Sequence, residues 1–178
     1  EKPMGFKMTE NTSGEFFKTL GSQGKAQYLI RESFQNSLDG AIIQGEAIRI
    51  RVFISGSERA LPKEISEKYF QNLFTHIDAC TDVNVDTANL RNSPCRFLTI
   101  EDFETTGLSG DEKTDLEEKG NHFYHFFRSV GRSGKDGNKL GRWGIGKFVY
   151  TMASETRSVF GYTVRNHNDS DRQKLLMG

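Results

Sequence analysis

A chain of 178 residues is long enough to bury a sizeable core without disulfide or metal staples, and one domain is the default for that length. Lysine plus arginine equals aspartate plus glutamate at 24 each, which gives no overall cationic field to mark nucleic acid as the main partner, while local basic patches leave it open. No apolar run is long enough to span a bilayer, and no charged-then-apolar leader opens the chain, so the sequence reads as cytoplasmic and without a membrane partner.

The polar residues 1–13, with Pro3 and Gly5, read as a flexible arm. A short helix is expected over Gly14 to Leu20, then a turn at Gly21-Ser22-Gln23-Gly24. The main helix follows from Lys25 to Ile43, ended by Gly45. Ile30, Phe34, Leu38 and Ala41 recur at core-facing spacing on it. Glu32, Asn36 and Asp39 fall on another face at steps of four and three. Seen alone, that polar row is the wet side of an amphipathic helix. With company elsewhere in the chain it is a set of oxygens suited to a metal-bound phosphate.

Ala47 to Ile54 alternates, with Ile48, Ile50, Val52 and Ile54 on one buried side of a strand. Lys63 to about Ala79 returns to helical spacing through Ile65, Tyr69, Leu73 and Ile77, and residues 81–94 form a polar connector. Cys95 to Ile100 is β-prone and delivers Glu101 and Asp102 at its end. Cys80 and Cys95 lack metal-ligand spacing and are expected as reduced thiols, a disulfide being the alternative if their geometry allowed it. Asn121 to Arg128 is aromatic-rich; His122 and His125 in it either pair on a metal or flank a helix that packs its aromatics, and no third ligand is near in sequence.

Gly131 to Gly146 holds six glycines and four basic residues, and a helix is expected from Lys147 to Ala153. Gly141, Gly144 and Gly146 before a helix start suit phosphate oxygens approached by backbone amides. A surface loop rich in glycine is the competing account. Gly141 to Lys147 also matches G-x-x-x-x-G-K, but Phe148 stands where a Walker A loop needs a hydroxyl, and no hydrophobic strand precedes it. Lys147 either adds charge to a phosphate or faces water at a helix start. Thr156 to Arg165 reads as a strand. The order of elements predicts an α/β or α+β two-layer sandwich, a mixed β-sheet with helices on one face.

Taken together, Glu32-x-x-x-Asn36-x-x-Asp39-Gly40-Ala41, then Asp102 with Gly107, then Gly141-x-x-Gly144-x-Gly146 resemble the ATP-binding domain of the GHKL superfamily of gyrase B, heat-shock chaperones, histidine kinases and MutL. The resemblance covers roughly Gln27 to Lys147. It implies a Bergerat-type fold over residues 14–178 that binds ATP with magnesium and hydrolyses it slowly. Glu32 is implied as the general base, Asn36 as the magnesium ligand, Asp39 as a nucleotide support and Asp102 as the acceptor of the adenine amine. Gly107 passes close to the base, Thr105 or Thr106 supplies a hydroxyl, and Gly141, Gly144 and Gly146 wrap the phosphates beneath a lid over about residues 108–140. Arg128, Arg132, Lys135, Lys139 and Arg142 make that lid basic.

The chemistry agrees: hydrolysis needs a base beside water, a magnesium-neutralised polyphosphate and backbone donors on the developing charge. Glu32 favours the hydrolase branch over the histidine kinases. The pattern departs at Glu104, which stands where the family has its first glycine. In this superfamily lid closure drives dimerisation or signals to following domains, so ADP, ATP, a nucleotide-dependent homodimer and downstream domains are the implied partners. The chain opens on Glu1 and stops at Gly178, which reads as the N-terminal fragment of a longer protein. A non-hydrolysing nucleotide-sensing or protein-interaction module, and a variant P-loop NTPase using residues 141–147, are the alternatives.

Overall fold

The computed structural model describes residues 22–80, 85–114, 120–128, 148–165 and 174–177. The expected arm, the short helix over 14–20 and the glycine-rich loop with Gly141, Gly144, Gly146 and Lys147 lie outside them. The fold is α+β, and the chain divides into two compact units: Glu1–Arg49 with Phe103–Gly178, and Ile50–Asp102.

Helix α1, Ser22–Asp39, organises the first unit. Its buried line is Leu29, Ser33 and Ser37, at steps of four. Each serine returns its hydroxyl to the carbonyl four residues earlier, Ser33 Oγ to Leu29 O at 2.6 Å and Ser37 Oγ to Ser33 O at 3.0 Å. Both hydroxyls thereby find a hydrogen-bond acceptor within the helix itself. The expected core stripe is corrected: Ile30, Phe34 and Leu38 are 36%, 39% and 52% exposed. Helix α1 packs on a second helix, α6 by chain order at Phe148–Ala153, and the line it buries carries the two serines in place of the apolar stripe. Ser33 and Val149 are the most completely buried side chains of the described residues.

The helix also ends four residues sooner than expected. Gly40 N still reaches Asn36 O and Ser37 O, both at 3.1 Å, but Ile42 N turns to Glu104 O at 3.1 Å. Thr106 N donates to Gly40 O at 2.9 Å, and Ala41 bridges Thr105 in antiparallel sense. Backbone groups captured by residues 104–106 are no longer available to continue the helix. Helix α5, His122–Phe127, is capped by Asn121, whose side chain accepts from Tyr124 N. Phe123 is buried beneath it, and the Phe127 ring lies against Gly161. Strand β3, Gly161–Val164, is shorter than the expected strand and pairs antiparallel with β4, Lys174–Met177, in the register Gly161 to Met177 and Val164 to Lys174.

The second unit carries a two-stranded sheet of β1, Arg49–Ile54, and β2, Leu98–Phe103. Ser55 N donates to Phe97 O at 3.0 Å while Arg51 Nη2 reaches Glu101 Oε1 at 2.9 Å. Those contacts advance along one strand as they retreat along the other, so the strands run antiparallel. Among the described residues the strands thus form two separate pairs in place of one mixed sheet. Val52 and Ile54 are 39% and 69% exposed, against the buried side expected for them. In this unit the aromatic side of β1 is the better covered, since Phe53 is half-buried and its ring packs on Phe97 with centroids 5.8 Å apart.

The single helix expected over 63–79 is two, α2 at Lys63–Tyr69 and α3 at Leu73–Ala79. Asn72 between them takes a left-handed φ of 67°, which no helix propagates through. The polar connector contains α4, Thr87–Asn92, whose N-cap Asp86 accepts from Asn89 N. Cys80 and Cys95 are free thiols. Among the described residues no helix is long and apolar enough to cross a membrane.

Candidate functional site

Turning α1 on its serine seam leaves Glu32, Asn36 and Asp39 half-buried along one flank of that seam. They stay on one face, as the spacing predicts. Each is held by a neighbour. Arg31 Nη2 donates to Glu32 Oε1 at 3.0 Å, and the hydrogen bond from that carboxylate is the main reason the Arg31 guanidinium is held above its ordinary value. The Arg31 side chain is 64% exposed and that of Glu32 23%, so the pair is a loose surface one. Gln35 Nε2 donates to Asp39 Oδ1 at 2.9 Å. Asn36 Nδ2 donates across the helix pair to Tyr150 Oη on α6 at 3.3 Å.

The end of α1 and the loop after β2 are stitched together by the bonds that stop the helix. Asp39-Gly40-Ala41 therefore lies beside Thr105 and Thr106, some sixty residues distant in sequence. Gly107, next in the chain, has φ +69°, and a Cβ there would sit 2.7 Å from Val164 O and 2.8 Å from Thr163 Oγ1. The close approach that demands glycine is thus already made by β3. Leu108 N donates to Thr163 Oγ1 at 2.9 Å, and Arg165 Nε to Leu108 O at 3.0 Å. Asp102 is exposed on β2, at the last residue of the second unit.

Glu104 is exposed and has φ +63°. A non-glycine residue thus takes a backbone conformation that glycine adopts most readily. In the stretch expected as a lid, residues 108–114 are tied down by side chains from α5 and its N-cap and from the end of β3. Asn121 Nδ2 donates to Asp111 O at 2.9 Å, Arg128 Nη1 to Thr114 O at 2.6 Å and Arg128 Nη2 to Glu112 O. Arg165, with its side chain 1% exposed, brings Nη2 within 3.6 Å of Glu112 Oε2. Arg128, expected among the basic residues of the lid, is thus turned to loop carbonyls; Arg132, Lys135, Lys139 and Arg142 lie outside the described residues. His122 Nδ1 lies 3.0 Å from Ser109 Oγ.

Among the described residues no three His, Cys, Asp or Glu side chains converge as a metal cage. The oxygens of the α1 row are the hard donors that magnesium takes singly or in pairs, with substrate phosphates and water filling its other positions. That donor set fits magnesium brought by a polyphosphate better than a structural zinc. Tyr150, Thr163 and Arg165 were not singled out by the sequence pattern. Tyr150 comes one turn of chain after Gly146, and Thr163 faces inward by strand alternation, but neither position announces its partner 114 or 55 residues away. Comparison with protein-family models, curated proteins and solved structures finds no match.

Proposed function

We propose that the chain is a GHKL-type nucleotide-binding domain that takes ATP with magnesium and hydrolyses it slowly, its nucleotide state coupled to dimerisation or to further domains. The observation that supports this reading is the meeting of separated motifs within one unit. The α1 row ends against Thr105 and Thr106 through the Thr106 to Gly40 bond, and Asn36 is joined to Tyr150, just beyond the glycine-rich loop.

In this reading the α1 row would hold the magnesium-bound phosphates of ATP. Asn36 would hold the metal through its amide oxygen, and the metal would supply neutralisation of phosphate charge. Glu32 orients a water and takes its proton after releasing Arg31, an exposed pair that costs little to open. Asp102 accepts the adenine amine, and Asp39, with Thr105 or Thr106, supports the nucleotide.

Two substitutions test the assignment. Asp102→Ala abolishes binding of a fluorescent adenine nucleotide, whereas Glu32→Ala keeps the affinity and loses turnover. Undiminished binding by Asp102→Ala removes the adenine pocket from the account. The Arg31 contact to Glu32 favours a second reading, nucleotide sensing without hydrolysis, and it prevails if wild type and Glu32→Ala show the same background turnover.

A further inference from the structure

We infer that Arg165 is a positioning residue that fixes the backbone of the Gly107–Leu108 turn, and with it the surface this turn offers to the base; the inference rests on the nucleotide reading above. In that reading Gly107 passes beside the base. A main-chain surface serves recognition only if something other than the ligand sets its place.

Both polar backbone groups of Leu108 are taken by side chains at the end of β3. Its N–H donates to Thr163 Oγ1 at 2.9 Å, and its carbonyl accepts from Arg165 Nε at 3.0 Å. Neither bond can reverse its direction, because an amide N–H and a guanidinium only donate. One residue earlier, Gly107 lies so close to β3 that a Cβ on it would stand 2.7 Å from Val164 O. The turn is thus pressed on β3 at Gly107 and tied to it at Leu108.

The guanidinium that makes the tie is itself held. The Arg165 side chain is 1% exposed, and a buried cation is costly unless an anion stands beside it. Glu112 supplies that anion, with Oε2 3.6 Å from Nη2. At that distance the contact is one of charge, and Nη2 meets no hydrogen-bond acceptor among the described residues. The two ends of the fork therefore have different tasks. Glu112 keeps the charge in place, while Nε makes the directional bond that places Leu108. The Glu112 carbonyl accepts in turn from Arg128 Nη2, which ties the backbone that carries the anion. With its side chain buried, Arg165 reaches no ligand directly and acts through Leu108.

The test uses the 178-residue chain and two readouts, amide hydrogen exchange and calorimetric titration with a non-hydrolysable ATP analogue in magnesium. Arg165→Lys keeps a cation for Glu112 and loses the rigid planar fork that serves residues 108 and 112 together. It is expected to speed exchange at the Leu108 amide by about 3- to 10-fold, the effect of one net hydrogen bond. Exchange along the β3 and β4 ladder is expected to stay unchanged, and the analogue to bind more weakly by a similar factor. Glu112→Gln keeps Arg165 and removes its anion; it is expected to move both readouts the same way, and it decides the matter if Arg165→Lys does not fold.

Unchanged exchange at Leu108 overturns the tie, and faster exchange with full affinity overturns its bearing on the nucleotide. Faster exchange at Leu108 and along the ladder alike marks a general loss of structure and overturns the positioning role. Absence of binding by the wild-type chain overturns the nucleotide reading and this inference with it.

Discussion

Two neighbouring positions, Glu104 and Gly107, take the same left-handed backbone with φ +63° and +69°, and they differ in what a side chain meets there. At Gly107 a Cβ would strike backbone and side-chain atoms of β3, so glycine is required twice over. At Glu104 the side chain is exposed, and only the backbone is penalised. A non-glycine residue in this conformation costs roughly 1–2 kcal/mol, while a glycine in the unfolded chain costs roughly 0.5–1 kcal/mol of extra entropy. Glu104→Gly is therefore expected to stabilise the protein by about 0.5–1 kcal/mol, a rise of some 1–4 °C in Tm for a chain of this size. Thermal melting checks it, and a lower Tm would mean that the Glu104 side chain makes a contact worth more than the strain. The sequence marks Glu104 as a point where the resemblance expects glycine; that its backbone is left-handed is visible only in the structure.

Among the elements, the motif helix was legible in type and in its polar row, and illegible in which side it buries. Periodicity weighs side chains by hydrophobicity, so it chose Ile30, Phe34 and Leu38. The structure buries Ser33 and Ser37 instead, whose hydroxyls bond carbonyls of their own helix and so can be buried without an unmet hydrogen bond. The end of α1 was misjudged for a related reason: the bonds that stop it come from Glu104 and Thr106, invisible to a local reading. Helix α4 was missed because six residues carry too little periodicity.

In the β1 and β2 sheet, Arg51 holds Glu101 through its hydrogen bonds, which keep the Glu101 carboxyl below the ordinary glutamate value. A carboxyl depressed in the folded state contributes stability above its unfolded pKa, about 4.3, and loses it as the pH falls through the folded value. Glu101→Gln is expected to lower Tm slightly at pH 7 and to show less acid-dependent loss than wild type below about pH 4. Because the pair is exposed, added salt reduces the difference. Identical acid profiles for the two proteins would show that the pair contributes nothing to folding.

At the scale of the molecule, the α+β class was readable from the order of elements, whereas the division into two units was not. Nothing in the composition marks a boundary near Arg49 or Asp102, since each falls inside or beside a strand. The functional account rests on the first unit, where Thr106 is bonded to Gly40 and Asn36 to Tyr150.

The measurement that bears on it most directly is calorimetric titration of the wild-type chain with a non-hydrolysable ATP analogue, with and without magnesium. The account predicts saturable binding at one site per chain, tighter in magnesium. No heat at millimolar nucleotide, or binding indifferent to magnesium, would contradict it.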